Sequence, residues 1–495
     1  MNKQDLLISR LDELSKSDAY PYHMPGHKRR LDSVLMQSCL SEAAALDITE
    51  IDDFDNLHEP EGILKDAMER TARLYGADTS YFCVNGSTAG ILTAISAAVP
   101  EGKKLIMARN CHRAVYHAVY LRRLKPIYLY PETIPGLLTA DVITKEQVKQ
   151  SLLENPDAAA VLLVSPTYDG ITADIGEIAA LVHTYGIPLI VDAAHGAHYG
   201  FHPAFPESPV RLGADLTVVS LHKTMPCMTQ TALLHVCGSR VIPEKIRFFE
   251  SIYQTSSPSY FLMAGMDACM ALVEEKGAAL WDIFFKDRED FLRKTNTLQK
   301  LHVVTEGKLQ KLMDPGKILI DTSKTGLTGK ALYDILLKQY HLQMEMAAQN
   351  YVTAIMTCCD SREGWERLAD ALLQIDRQLA GEKKTVRHRR PITDGMEKEN
   401  GEGMQPEQEE GLLPYPCLEP VCSISDALDG KMESVSIERT QERICGTFIN
   451  LYPPGIPLVV PGEKISPKVI ELIEIYRQQG LQIQGMRGDT VQVLL

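Results

Sequence analysis

The chain has 495 residues, 45% hydrophobic and 23% charged, with 51 basic and 65 acidic side chains and a net charge of −14. That balance argues against a general nucleic-acid or anionic-membrane binder, which needs a basic footprint. The 11 cysteines are scattered, without a CxxC pair or zinc-like Cys/His spacing, and read as reduced thiols of a cytoplasmic protein with no metal site. The first residues are polar, unlike a signal peptide, and no apolar stretch approaches the ~18 residues of a membrane span.

In chain order, Leu6, Leu7, Leu11 and Leu14 predict a helix within an N-terminal arm, residues 1–30. A large domain is expected over 31–245. Residues 62–78 read as a helix and Tyr81–Val84 as a strand. Further strands are predicted at Lys104–Met107, Lys125–Leu129, Ala159–Val164, Pro188–Val191, Leu216–Val219 and Ala232–Val236, with helices at 87–98, 144–154 and 174–185. Such alternation implies an α/β fold with a mostly parallel sheet covered by helices on both faces. Ligands of such sheets lie at the carboxyl ends of the strands, where Asn85, Ser165, Asp192 and Ser220 fall. A small α/β domain is expected over 246–380, with a strand at Lys317–Asp321 and a helix at 329–339. A polar, charge-rich linker follows at 381–412, then a C-terminal α+β domain at 413–495.

The chemistry-bearing pattern is a strand ending in Asp192 followed by a strand ending in Ser220-Leu221-His222-Lys223. A lysine can form a Schiff base with the aldehyde of pyridoxal 5′-phosphate (PLP), and an aspartate can hold the pyridine nitrogen protonated. Upstream, Asn85-Gly86-Ser87-Thr88 follows a strand and opens a helix, where small residues and free N–H groups suit a phosphate. His112, after another strand, offers a flat ring for stacking. Taken singly, Asp192 also reads as a helix cap, Lys223 as a surface lysine and His112 as an ordinary core or surface histidine. Their order and combination favour the cofactor site.

These residues resemble the ornithine/lysine/arginine decarboxylase group of fold-type-I PLP enzymes. The similarity covers nearly the whole chain. It includes His23-Met24-Pro25-Gly26-His27-Lys28, Asn110-Cys111-His112-Arg113 and Ser165-Pro166-Thr167-Tyr168-Asp169-Gly170. It continues through Asp192-Ala193-Ala194-His195, Thr255-Ser256-Ser257-Pro258 and Tyr452-Pro453-Pro454-Gly455 with Pro461-Gly462-Glu463. The length is similar to the shorter bacterial members. One departure is Ala193, where similar proteins often carry Glu.

The resemblance implies an aspartate-aminotransferase-like fold and PLP-dependent decarboxylation of a basic amino acid, with arginine favoured over lysine or ornithine. Lys223 would carry the cofactor, Asp192 would pair with its ring nitrogen and His112 would stack on the ring. Gly86, Ser87, Thr88, Ser220 and His222 would hold the phosphate, with Ala194 and His195 beside the cofactor. His222 or Lys223 would return the proton to Cα. Thr255 and Ser256 would reach a neighbouring subunit's cofactor, making a homodimer or higher homo-oligomer with shared sites. For the substrate's distal cation, Asp53, Asp55 and Glu463 are the acidic candidates. Two other readings are a PLP-dependent aminotransferase or carbon–carbon lyase, and a non-catalytic regulatory homologue. An aminotransferase usually anchors the α-carboxylate with an arginine, for which Arg443 and Arg487 are the nearest candidates.

Overall fold

The computed structural model describes residues 6–17, 39–134, 136–137, 139–381, 416–452 and 455–495. The His23–Lys28 motif, the 382–412 part of the expected linker, and Pro453 and Pro454 lie outside them.

Seven strands form the central sheet: β1 (Thr79–Cys83), β2 (Lys104–Ala108), β3 (Lys125–Leu129), β4 (Ala158–Val164), β5 (Leu189–Asp192), β6 (Leu216–Val219) and β7 (Ala232–Val236). Their order is β1-β7-β6-β5-β4-β2-β3, and among them β7 alone runs antiparallel to its neighbours. The sequence explains this arrangement. Strands covered on both faces must be apolar throughout, and Leu189–Asp192, Leu216–Val219 and Ala232–Val236 are buried at every position. At ~1.5–3 kcal/mol per buried Val, Leu or Ile, these strands anchor the core.

Helix starts are set locally. Thr144 and Gln147 form a reciprocal capping box at Lys145–Glu154. The Asp174 side chain accepts from Glu177 N–H at Ile175–His183. Helix Tyr260–Lys276 packs with the large unit: buried Asp267 pairs with Arg70 of helix Ile63–Tyr75 and accepts from Leu7 N–H of the first helix.

A second, antiparallel sheet contains β8 (His302–Val303), β9 (Lys317–Asp321), β10 (Met346–Ala347) and β11 (Tyr351–Ile355), in the order β10-β11-β9-β8. The C-terminal unit has its own apolar core, with Ile449, Leu458, Val469 and Val491 among its members. It contains β12 (Met432–Ser436) paired with β16 (Thr490–Leu494), and β13 (Ile449–Tyr452) between β14 (Ile456–Val459) and β15 (Gln482–Gln484). Among the described residues, no helix is long and apolar enough to cross a membrane.

Candidate active site

A cavity of about 560 Å³ lies where the three units meet. Its chemical wall comes from strand ends of the large sheet: Asp192 at the end of β5, His222 and Lys223 after β6, and Gly86, Ser87 and Thr88 after β1. Tyr168, Asp169, Ala194 and His195 continue that wall. The second sheet adds Glu345–Gln349 and Tyr351, and the C-terminal unit adds Leu451, Tyr452, Ile456, Tyr476 and Leu481.

Gly86 has φ +75°, a conformation that L side chains rarely adopt, and it opens the 13-residue helix Gly86–Ala98. Its side-chain-free backbone and the N–H groups of the first turn suit an anion. Ser220, immediately before the Leu221–Thr224 turn, is fully buried, and its hydroxyl has no partner among the described residues. Buried hydroxyls are nearly always bonded; Ser220 does not line the cavity, but its unpaired hydroxyl stands three residues before the lysine that does. Serine, threonine and glycine N-terminus, aspartate and lysine together fit the phosphate, ring nitrogen and aldehyde of PLP.

Asp192 Oδ1 accepts from Ala194 N–H at 3.1 Å, and burial raises the carboxyl's pKa against the opposing pull of Lys223. Burial also lowers Lys223, although Asp192 and Glu345 act to raise it. His112 caps helix Arg113–Leu121, accepting from Ala114 N–H at 3.3 Å, and still lines the cavity. Burial and the nearby Lys223 bring it down to about 4, so its ring is neutral at pH 7. His222 Nδ1 lies 2.9 Å from Thr231 O. A carbonyl only accepts, so Nδ1 carries the hydrogen and Nε2 the lone pair.

The three acidic candidates for the substrate fall outside the cavity lining. Glu463 is buried and held by Arg109 Nη2 at 3.1 Å and Val460 N–H at 2.9 Å; it ties the C-terminal unit to the end of β2. Asp55 accepts from five backbone N–H groups, those of Asn56, Glu61, Gly62, Leu64 and Lys65, and so caps helix Ile63–Tyr75. Both carboxylates are already committed to structural partners. Asp53 is exposed, at φ +69° in the preceding turn. Thr255 and Ser256 also lie outside this chain's cavity, with Thr255 O bonded to His58.

Besides Asp192 and Asp169, which is bonded to Thr139, the cavity presents Glu345, whose Oε1 accepts from Tyr168 Oη at 2.5 Å. Sequence reasoning passed over it, and also over Tyr351, Tyr476 and the buried Lys317. A glutamate between two methionines and a lysine opening an apolar strand carry no local signal. Among the described residues no arginine lines the cavity. Arg443 instead bonds Glu433 and the Leu494 carbonyl, and Arg487 pairs with Thr490 in a turn.

A parallel sheet with one reversed strand, a strand-end aspartate and a lysine after the next strand define the fold-type-I architecture of PLP-dependent enzymes. Family models place the chain within that class. The "Orn/Lys/Arg decarboxylase, major domain" matches residues 7–364, and the C-terminal domain of the same family matches 404–491. The chain belongs to the Orn/Lys/Arg decarboxylase family. It is 30% identical over 480 residues to an arginine decarboxylase of Bacillus subtilis, covering 96% of this chain and 94% of the relative. It is also 30% identical to one from Bacillus anthracis, covering 99% and 96%. Among solved structures, the lysine decarboxylase LdcF of Francisella novicida superposes with a TM-score of 0.79 at 18% identity, covering 99% of this chain and 80% of that one; this likeness speaks for the fold.

Proposed function

We propose that this chain decarboxylates arginine to agmatine with PLP as cofactor, in a homodimer or higher homo-oligomer. The observation that carries the reading is one cavity holding Lys223, Asp192 and His112 on one wall and Glu345 with tyrosines on the other. Lys223 would hold the cofactor, Asp192 its ring nitrogen, and Gly86, Ser87, Thr88 and Ser220 its phosphate, with His112 against the ring. When bound, PLP supplies an aldehyde for the substrate amine and a ring that withdraws electrons from Cα.

The chain's own residues do the rest. Asp192, buried at a strand end, keeps a proton at the pyridine nitrogen. Glu345 faces the substrate's distal cation. A carboxylate receives a planar guanidinium in a two-point contact, and Tyr168, Tyr452 and Tyr476 supply faces on which it can stack. A lysine's ammonium would use only the first of these. The curated relatives named above are arginine decarboxylases, which supports the same choice. The lack of a lining arginine among the described residues favours loss of the carboxylate over its retention, as transamination requires. With its Nδ1–H given to Thr231 O, neutral His222 has no hydrogen at Nε2, so Lys223 is the better source of the proton returned to Cα. Thr255 and Ser256, outside their own cavity, are free to serve a second subunit.

The test is an end-point assay of PLP-loaded protein with arginine, lysine and ornithine in parallel, measuring carbon dioxide and amine. Agmatine as the dominant product is expected. Cadaverine or putrescine would move the substrate assignment, and keto acid without carbon dioxide would overturn decarboxylation.

A further inference from the structure

Behind the cavity wall, two lysines meet one histidine. His195 Nε2 lies 3.1 Å from Lys223 Nζ, and His195 Nδ1 lies 2.9 Å from Lys317 Nζ. Lys317, the first residue of β9, is 2% exposed and does not line the cavity. Gly170 makes room for it, since a Cβ there would stand 2.7 Å from Lys317 Cγ.

A neutral imidazole has one N–H and one lone pair, and an ammonium group only donates. Both lysines can therefore keep their contacts to neutral His195 only if one of them is uncharged. The surroundings decide which. Lys317 lies over the Tyr168 ring, 5.4 Å from its centroid, a placement that favours a cation. Asp314, Glu345 and Asp169 act on Lys317 electrostatically. Asp314 is itself bonded to His198, and Asp169 to Thr139. Lys317 forms no ion pair among the described residues. Lys223 is acted on by Asp192 and Glu345, and Asp192 serves the ring nitrogen in the working site. His112 and His222 face His195 from the cavity side.

We propose that Lys317 is a positioning residue that holds the proton the two lysines share, donating to His195 Nδ1 so that His195 Nε2–H donates to the lone pair of an uncharged Lys223. In that state Lys223 is a nucleophile, ready to exchange imines. From that state Lys317 passes a proton to Nδ1 while the Nε2 hydrogen passes to Lys223, recharging Lys223 to return a proton to Cα. A proton arriving on Lys223 afterwards passes to Nε2 while the Nδ1 hydrogen passes to Lys317, restoring the starting state. Each transfer moves one charge between the lysines and leaves His195 neutral. Burial, reinforced by both lysines, drives His195 well below its usual value and keeps it neutral. Burial lowers Lys317 to about 8 and lowers Lys223 as well, so burial does not choose between them; the Tyr168 face and the commitment of Asp192 to the ring nitrogen do.

The inference rests on Lys223 being the cofactor amine, but its test needs no turnover. Protein holding 4-deoxypyridoxine 5′-phosphate, which keeps a ring nitrogen for Asp192 but has no aldehyde to occupy Lys223, is labelled with trace acetic anhydride across pH, and acetylation of the Lys223 peptide is read by mass spectrometry. Lys223 should titrate at least one unit below the ordinary lysine value of about 10.4. Lys317→Met should raise that midpoint by a unit or more, cutting the free amine at neutral pH about tenfold. Lys317→Arg, a permanent donor, should keep the wild-type midpoint. An ordinary midpoint in the wild-type chain overturns the proposal without any variant. So does a folded Lys317→Met protein, checked by circular dichroism, with an unmoved midpoint. Loss of decarboxylation with a depressed midpoint would sink the proposed function and leave this pairing standing.

Discussion

Two buried cation sites in this molecule have opposite fates. Arg109, 1% exposed, donates to Tyr116 Oη, the Pro457 and Leu458 carbonyls and Glu463. Burial alone would lower its pKa, but Glu463 together with Tyr116, Tyr128 and Tyr130 outweighs that and raises it. Its charge is committed to joining β2 to the C-terminal unit. Lys317, as far removed from bulk water as Arg109, and Lys223, half-buried at the cavity wall, share a histidine and have no ion-paired carboxylate among the described residues. A buried charge paired with a carboxylate is a rivet; an under-paired one can change its protonation state. Burial thus yields structure at one site and chemistry at the other.

The largest effect should come from breaking the reactive side. Lys223→Ala should lower amine production by more than about 10³-fold, because nucleophile and proton carrier vanish together; steady-state product assays read this. The structural side breaks differently. Arg109→Met leaves Glu463 buried without its partner and should cost about 3–5 kcal/mol in denaturant unfolding. Changing Glu463→Met as well should recover most of that loss, sharpening the contrast with the lysines, whose value lies in being titratable.

Smaller effects separate the acidic residues. Glu345→Gln should raise KM for arginine about tenfold, equivalent to ~1.4 kcal/mol, with kcat within about twofold. Asp55→Asn should leave KM unmoved and cost about 1 kcal/mol of stability, as loss of a helix cap does. Partial burial pushes the Asp55 carboxyl up, but the backbone N–H groups outweigh it and hold the group below its ordinary value. The folded state therefore binds the proton less tightly than the unfolded one. The Asp55 contribution is fully present above the ordinary carboxylate value, near 3.9, and is lost as pH falls through the lower folded value. Acid unfolding curves of wild type and Asp55→Asn should converge in that window.

Much of the fold was legible because the strands are short, mostly apolar runs. Lys125–Leu129, Leu216–Val219 and Ala232–Val236 fall where the hydrophobic pattern puts them. The reversal of β7 was not legible, since an apolar strand reads the same in either direction. In the site, the residues that follow strand ends were accessible to reasoning: Asp192, His112, Lys223 and the Gly86–Thr88 turn all line the cavity. The acidic partners were not. Asp53, Asp55 and Glu463 carry charge in the sequence, but only the folded chain shows that backbone amides claim Asp55 and a guanidinium claims Glu463. Lys317 and Glu345 reach the site from a separate sheet, more than ninety positions beyond Lys223, a distance no local pattern spans.

The cavity's far wall has a consequence for synthesis. Leu451, Tyr452, Ile456, Tyr476 and Leu481 leave the ribosome after every residue of the chemical wall. A nascent chain that has emerged only to residue 450 already carries every group on the chemical wall, but its pocket lacks one side. The chemical wall can therefore form before the side of the pocket that closes over it.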